Sequence, residues 1–310
     1  NEDNMKVFLT DNENSYIATL RFYKTKFVTE NIQKLNSWDR PQVSMGYDII
    51  IKLFDVNIDM VSEWFSMTDS DKMEYLIDLH VHSNASSHAY STVEELIAAA
   101  KNKGLKGFAL TNHGPILPDS PRHWHFGNLK VLPDNINGIR LYKGIEANII
   151  SYEGETDLPL EYYDGLEIVL AGFHSLTPYS EESTFEQNTQ TILNVIKNGK
   201  VDILAHLGNP KYPLDYEKVV KYAAEKNVAI EINNSSFEKS RKGSEKNCLE
   251  ILKLCKKYGN YVSIGSDTHF SMNIGNFSKA YIIFEEVNID ENKILNSSFE
   301  VLDNFLKSRR

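Results

Sequence analysis

From residue 73 onward, the chain alternates between short apolar runs and longer segments in which apolar positions recur every three or four residues. Short apolar runs bounded by turn residues predict buried strands, and the longer period predicts amphipathic helices. The predicted strands are Tyr75–Leu79, Gly107–Thr111, Leu141–Glu146, Glu167–Gly172, Val201–Ala205, Val228–Ile232 and Tyr261–Gly265. Ser278–Phe284 is predicted as one further strand.

Helices are predicted between these strands. A capping box at Ser91–Glu94 begins the first helix, which ends at Gly104. The later helices are predicted near Glu186–Asn198, Tyr216–Lys226, Glu245–Tyr258 and Phe299–Lys307. Seven strand–helix units predict an α/β fold with a parallel sheet, either a closed barrel near the size of a (β/α)₈ barrel or a doubly wound open sheet.

Residues 1–72 have a different pattern and predict a separate small α+β module of unknown role, in front of a barrel over residues 73–310. Strands are predicted at Lys6–Thr10, Tyr16–Tyr23 and Tyr47–Phe54, with a short helix or strand at Ile58–Phe65. The polar run Thr68–Lys72 predicts a linker. Met73 is interpreted as the original start of the segment that follows it. We expect an interaction or fused domain here, since the segment contains no catalytic motif.

Histidine and carboxylate residues follow six of the seven predicted strands of the second unit, always at the same end. His80 and His82 share one face of the first strand, because side chains alternate along a strand. The candidate metal ligands are His80, His82, His113, Glu146, His174, His206, Asp267 and His269, with His88 in the loop after the first strand. In barrels the reactive groups lie at the carboxyl ends of several strands, so this placement favours the barrel over the open sheet.

This set of ligands predicts a centre of two or three metal ions. One histidine at a strand end is usually structural, but nine convergent ligands exceed what one ion can bind. Imidazole and carboxylate suit Zn²⁺, Mn²⁺ and Fe²⁺. Clustered ions hold phosphoryl oxygens and lower the pKa of a bound water, so hydrolysis is the natural reaction, of a phosphoester first and of an amide second.

Several basic residues are candidates for contact with substrate. Arg241 and Lys242 follow the one strand without a predicted ligand, and we expect them to anchor a phosphate, although a solvated pair is the alternative. His123 and His125 are predicted in a loop and are not assigned to metal. His125 and Arg122 are further candidates for substrate contact.

The composition narrows the possible partners. The net charge of −10 argues against a broad nucleic-acid surface, but it allows a small phosphorylated substrate. The cysteines, Cys248 and Cys255, match no zinc or redox spacing and read as reduced. The sequence has no signal peptide and no transmembrane run. We therefore expect a cytoplasmic protein without membrane contact, and an oligomer is compatible with the sequence.

Eight motifs in order resemble the PHP (polymerase and histidinol phosphatase) family, and most closely its YcdX-type phosphatase branch. They are D-L-H-V-H-S at 78–83, T-N-H-G at 111–114, G-I-E-A-N at 144–148, A-G-F-H at 171–174, A-H-L-G-N-P at 205–210, E-I-N-N-S-S at 231–236, S-R-K-G-S at 240–244 and G-S-D-T-H at 265–269. The resemblance covers about Met73 to the C-terminus. It implies a distorted (β/α)₇ TIM-like barrel with a trinuclear centre, usually of zinc and sometimes of manganese or iron.

The resemblance also implies a division of the ligands. One ion would bind His80, His82, Glu146 and Asp267, a second would bind Glu146, His174 and His206, and a third would bind His88, His113 and His269. Glu146 and Asp267 would bridge ions or position the attacking water. The chain departs from the usual pattern at Asn112, where Asp is common, and at Leu207, where Pro is common.

The predicted function is hydrolysis of small phosphomonoesters by a metal-bound hydroxide. A PHP-type nuclease or proofreading phosphodiesterase is one alternative, against which the acidic charge argues. The other alternative is a barrel that serves as a scaffold, with residues 1–72 as the functional element. Intact ligand positions argue against a barrel without activity.

Overall fold

The computed structural model describes the backbone of four strands within residues 1–74, together with residues 75–179, 182–237 and 241–310. The chain divides into two compact units, Asn1–Lys72 and Met73–Arg310. Among the described residues, none of the helices is both long and apolar enough to cross a membrane.

The first unit contains an antiparallel sheet in the strand order β1-β2-β4-β3. Its strands are β1 (Met5–Asn12), β2 (Ser15–Phe22), β3 (Gln42–Val43) and β4 (Asp48–Leu53). The strands predicted at Lys6–Thr10, Tyr16–Tyr23 and Tyr47–Phe54 correspond to β1, β2 and β4. The element predicted at Ile58–Phe65 lies outside the described residues. The role of this unit stays a prediction.

The second unit is the predicted distorted barrel, which the structure confirms. Its parallel strands follow the order β12-β11-β10-β9-β8-β6-β5, and the short β7 pairs with β8 at the side. The strands are β5 (Ile77–Val81), β6 (Gly107–Leu110), β7 (Asn135–Ile136), β8 (Ile139–Asn148), β9 (Ile168–Gly172), β10 (Ile203–Leu204), β11 (Ala229–Asn233) and β12 (Val262–Gly265). A parallel bridge between Val81 and Thr268 brings the first and last strands together, so the sheet is nearly closed.

Helices surround this barrel, as predicted. They are α1 (Val93–Asn102), α2 (His123–Asn128), α3 (Phe185–Asn198), α4 (Tyr216–Glu225), α5 (Ser244–Tyr258), α6 (Ser278–Val287) and α7 (Phe299–Arg309). The capping box of α1 is formed by Thr92 and Glu95, one residue later than predicted. The segment predicted as a loop around His123 forms the short helix α2.

The prediction of a strand at Ser278–Phe284 was wrong, because this segment belongs to helix α6. Its composition is rich in β-formers, but its buried positions are Ala280, Ile283, Phe284 and Val287, which follow helical spacing. Burial of this one face against the core therefore outweighs the local strand propensity.

Apolar side chains fill the amino-terminal half of the barrel interior. Ile77 and Leu79 of β5 join one buried cluster with Ile168 and Leu170 of β9, and Phe305 of α7 belongs to the same cluster. Helix α7 thus packs against this end of the barrel. At the opposite, carboxyl end of the strands, the barrel interior contains buried polar residues.

The side chain of Asn296 joins the first and last strands at the amino end of the barrel. Its amide nitrogen donates to the carbonyl oxygens of Ile77 and Ile264, both at 2.7 Å, and its oxygen accepts from the Ile264 N–H at 2.7 Å. The residue is fully buried. Because β5 and β12 lie at the two ends of the strand order, their backbones are not paired here. Asn296 therefore provides the hydrogen bonds that a neighbouring strand would otherwise form with these backbone groups.

We expect Asn296→Ala to lower the free energy of unfolding by about 3 kcal/mol or more, because it leaves several buried backbone groups unsatisfied at ~1–3 kcal/mol each. Urea denaturation followed by circular dichroism measures this change. Asn292→Ala, at an exposed site, is the matched control and should stay within about 0.5 kcal/mol of the parent. Equal effects of the two variants would contradict the joining role of Asn296.

Candidate metal centre

The candidate ligands converge at the carboxyl end of the barrel because all of them lie in or after the carboxyl ends of six of its strands. His80 lies in β5 and Glu146 lies in β8. The other predicted ligands are in the loops that follow β5, β6, β9, β10 and β12, namely His82, His88, His113, His174, His206, Asp267 and His269. All of them except His88, His174 and His269 are buried.

Four side-chain atoms from three elements face one another around a single point. His80 Nε2 lies 3.3 Å from Glu146 Oε2 and 3.6 Å from Asp267 Oδ1. His82 Nε2 lies 3.5 Å and 3.2 Å from the same two oxygens. Two ligands of a tetrahedral Zn²⁺ are roughly 3.3–3.5 Å apart when each is about 2.0–2.1 Å from the ion. The spacing therefore fits one ion among the four atoms.

Hydrogen bonding supports the same position. Within the described part of the chain, His80 Nε2, His82 Nε2, Glu146 Oε2 and Asp267 Oδ1 are all buried and have no hydrogen-bond partner. Buried polar atoms normally have a partner, so four such atoms around one point need an explanation. A cation bound to all four would supply it.

The other oxygen of Glu146 faces a second pair of imidazoles. Glu146 Oε1 lies 3.0 Å from His174 Nε2 and 2.7 Å from His206 Nε2. His113, Glu146 and His174 also form a group whose ligand atoms lie within 4.8 Å of one another. The two oxygens of Glu146 can therefore bind different ions.

Three imidazoles form a third group nearer the surface. The ring of His88 lies 5.0 Å from that of His113 and 4.8 Å from that of His269, measured between centroids. His82 stacks on both His113 and His269. His82, His113 and His269 are therefore an alternative set of ligands for the same ion. The structure thus brings all nine predicted ligands together, and the assignment of His82 or His88 to this group stays a prediction.

The sequence comparisons agree with this geometry. Residues 78–262 match the family model described as PHP domain. A probable phosphatase of Shewanella sp. (strain ANA-3) is 50% identical over 238 residues, which are 76% of this chain and 93% of that protein. The chain belongs to the PHP family. A probable phosphatase of Acetivibrio thermocellus is 45% identical over 238 residues, 77% of this chain and 98% of that protein.

The predicted family and its phosphatase branch are thereby confirmed for the PHP domain. A solved structure with the same fold is histidinol phosphate phosphatase from Lactococcus lactis, complexed with zinc, L-histidinol and phosphate. The two chains are 14% identical and superpose with a TM-score of 0.50. The alignment covers 70% of this chain and 95% of the Lactococcus lactis chain. At this identity the likeness concerns the fold alone.

The carboxylates of the PHP domain site are held in the ionised form. Burial opposes ionisation of Glu146, but His80, His174 and His113 outweigh it and keep the pKa of Glu146 well below 4.5. Burial opposes ionisation of Asp267 too, and the charges of His80 and Arg241 outweigh it and keep the pKa of Asp267 well below 3.8. Both carboxylates therefore bear the charge that a cation requires.

Most of the imidazoles in the PHP domain site with a shifted pKa have it lowered, and a lowered pKa favours the neutral ring. Burial, with the nearby His113 and His269, lowers the pKa of His82 well below 6.5. Burial, with the charge of Arg241, lowers the pKa of His206 to about 4. His80 differs: burial opposes its charged form, but the carboxylates around it outweigh burial and raise its pKa well above 6.5. Neutral imidazole is the form that ligates metal.

Two carboxylates that are hydrogen-bonded to ligand imidazoles were not predicted from the sequence. Glu231 Oε1 lies 2.7 Å from His80 Nδ1, and Asp119 Oδ2 lies 2.6 Å from His88 Nδ1. Such contacts orient a ligating ring and set its tautomer. Glu231 had a signal, since a charged residue between Ile230 and Ile232 is unusual in a buried strand. Asp119 lies in an irregular loop and had none.

The predicted substrate residues have different surroundings. Arg241 Nη1 donates to Asp267 Oδ2 at 2.9 Å, so the guanidinium adjoins the cluster. Lys242 is exposed, and Arg122 is exposed immediately before α2. His125 Nε2 accepts from the amide of Asn112 at 3.1 Å. Arg241 is therefore the predicted basic residue with a direct contact to a ligand.

The two departures from the usual PHP pattern have structural explanations. Asn112 Oδ1 accepts from the N–H of Ser83 at 2.9 Å and from the hydroxyl of Ser86 at 3.2 Å. Ser86 Oγ in turn accepts from the N–H of His113 at 3.1 Å. Asn112 thus holds the loop between His82 and His88 without needing a charge. Leu207 is buried in the main core.

Gly172 leaves the space that the ring of His206 occupies. A Cβ added at Gly172 would lie 2.4 Å from His206 Cε1. We expect Gly172→Ala to displace this ring and to lower affinity for one ion by about 10–100-fold, the scale found when the orientation of a ligand is disturbed. Chelator competition followed by elemental analysis measures the loss.

Gly165→Ala is the control for this substitution, because an added Cβ there meets no atom within 4 Å. Its ion content should match that of the parent at every chelator concentration. Unchanged metal affinity of Gly172→Ala, with the fold intact, would show that His206 does not ligate.

Proposed function

We propose that the second unit is a metal-dependent phosphatase that holds three ions and hydrolyses small phosphomonoesters. The observation that carries this proposal is the set of four buried, unpartnered atoms of His80, His82, Glu146 and Asp267 around one point. The family supports the phosphatase class, because the relatives from Shewanella and Acetivibrio are named probable phosphatases. The zinc and phosphate in the histidinol phosphate phosphatase support the metal and the substrate class.

The ligand residues have distinct roles in this proposal. Glu146 would bridge two ions, because its oxygens face His80 and His82 on one side and His174 and His206 on the other. Asp267 completes the first position. Bound ions of this kind acidify water and neutralise the charge on phosphoryl oxygens. Zn²⁺ fits the donors, and Mn²⁺ or Fe²⁺ are compatible with them.

Arg241 is proposed as the phosphate anchor. Its contact with Asp267 places the positive charge beside the cluster, and an Arg guanidinium has five N–H donors that suit phosphate oxygens. Lys242, Arg122 and His125 are proposed as further contacts around the substrate. The cytoplasmic location and the role of residues 1–72 stay predictions.

We expect the metal-loaded protein to hydrolyse a generic aryl phosphate. His80→Ala should lower kcat/KM by at least about 10²-fold, since it removes one ligand of the buried position. His123→Ala, which removes an exposed imidazole outside the cluster, is the control and should keep the parent rate. Single-stranded DNA serves as the competing substrate. No turnover of the aryl phosphate by protein with measured Zn²⁺, Mn²⁺ or Fe²⁺ would overturn the proposal, and preference for DNA would favour a nuclease.

His88 tests the division into three ions. The His88 ring is about 41% exposed and is held by Asp119, outside the buried Glu146 cluster. We therefore expect His88→Ala to lose one of three ions and to retain two, as measured by elemental analysis after gel filtration. Asp119→Asn should weaken the same ion only. Loss of all ions from His88→Ala would argue against the division.

A further inference from the structure

Strand β11 supplies a buried carboxylate to the site although it contributes no predicted ligand. Glu231 lies at the centre of β11, between Ile230 and Ile232, and its side chain is 1% exposed. An ionised carboxylate at such a position is costly unless it is fully hydrogen-bonded. Its partners therefore indicate why the strand contains it.

One oxygen of Glu231 fixes the ring of His80. The carboxylate accepts, so His80 Nδ1 at 2.7 Å must donate its proton to Glu231 Oε1. In the neutral ring, which is the form that ligates metal, the lone pair then resides on Nε2, the atom that faces Glu146 and Asp267. Glu231 thereby selects the tautomer that can ligate the first ion.

The other oxygen of Glu231 fixes the backbone of His206. Glu231 Oε2 accepts from the His206 N–H at 3.0 Å and from the Asn233 amide at 3.2 Å. His206 has a φ of 36°, in the left-handed region that is strained for a residue with a side chain. The Asn233 amide nitrogen also lies 3.2 Å from Asp267 Oδ2. Glu231 thus holds a strained ligand residue in place.

We propose that Glu231 is a positioning residue that couples two metal positions without ligating either ion. It binds His80 of the first position and His206 of the second, and it has no contact with the group formed by His88, His113 and His269 in the described structure. The proposal rests on the metal centre proposed above but not on its phosphatase activity.

Gly265 is consistent with this role. A Cβ added at Gly265 would lie 2.0 Å from Glu231 Oε1 and 2.6 Å from the Cβ of His80. The neighbouring strand β12 therefore has no side chain at the point where the Glu231–His80 contact forms.

Ion retention in Glu231 variants tests the proposal. Glu231→Gln has one acceptor oxygen in place of two and must lose either the His80 or the His206 contact, and Glu231→Ala loses both. The full chain is loaded with Zn²⁺ and equilibrated with increasing chelator, and the remaining ions are counted. We expect Glu231→Gln to release at least one of the two coupled ions at a chelator level at least about tenfold lower than the parent, and Glu231→Ala to release both at such a level. The remaining ion should be released at the parent level.

Asp202→Asn is the matched control. Asp202 is a buried carboxylate that accepts from the Val169 N–H at 3.0 Å at the amino end of the barrel. We expect this variant to lower the unfolding midpoint of the metal-free protein and to keep the parent's ion retention.

The outcomes separate the two proposals. Parent retention of all ions in both Glu231 variants, or equal loss of all ions from folded variants, would overturn the role of Glu231 alone. A parent chain that binds no Zn²⁺ would overturn the metal centre as well. If Glu231→Ala does not fold, the Glu231→Gln result decides.

Discussion

The structure around the site depends on the burial of the Glu146 carboxylate. A carboxylate without solvent is unstable unless charges or donors surround it, and Glu146 is surrounded by imidazoles from several strands. Its two oxygens face different pairs of histidines, so one side chain determines where the rings of His80 and His82, and those of His174 and His206, can lie. The barrel brings these strands into register, and the position of Glu146 in β8 defines the centre of the site.

Much of this arrangement could be predicted from the sequence because two regular patterns coincide. The apolar runs predicted the strands. The polar residues directly after these runs predicted the end of the barrel at which the ligands meet. Ser278–Phe284 could not be predicted correctly in this way, since its residue types suit a strand and only its tertiary packing shows the helical face. Helix α2 is too short for periodicity to reveal.

The supporting contacts were beyond prediction for a different reason. Glu231 and His80 are 151 residues apart in the chain, and their contact depends on the register of β11, β12 and β5 around the barrel. Arg241 could be proposed as a phosphate anchor from its type, but its contact with Asp267 depends on how the chain leaves β11. A lone sequence shows which groups can ligate, and the fold shows which groups hold them.

The bridge between Val81 and Thr268 has a consequence for stability. It lies at the joint between the first and last strands. One side of this joint bears His80 in β5 and His82 just after it, and the other side bears Asp267 and His269 after β12. An ion bound across the joint therefore links the ends of the sheet as a direct crosslink would. Binding to the folded state alone raises the free energy of unfolding by RT ln(1 + [L]/Kd). Metal supply would then determine the thermal resistance of the barrel as well as its chemistry.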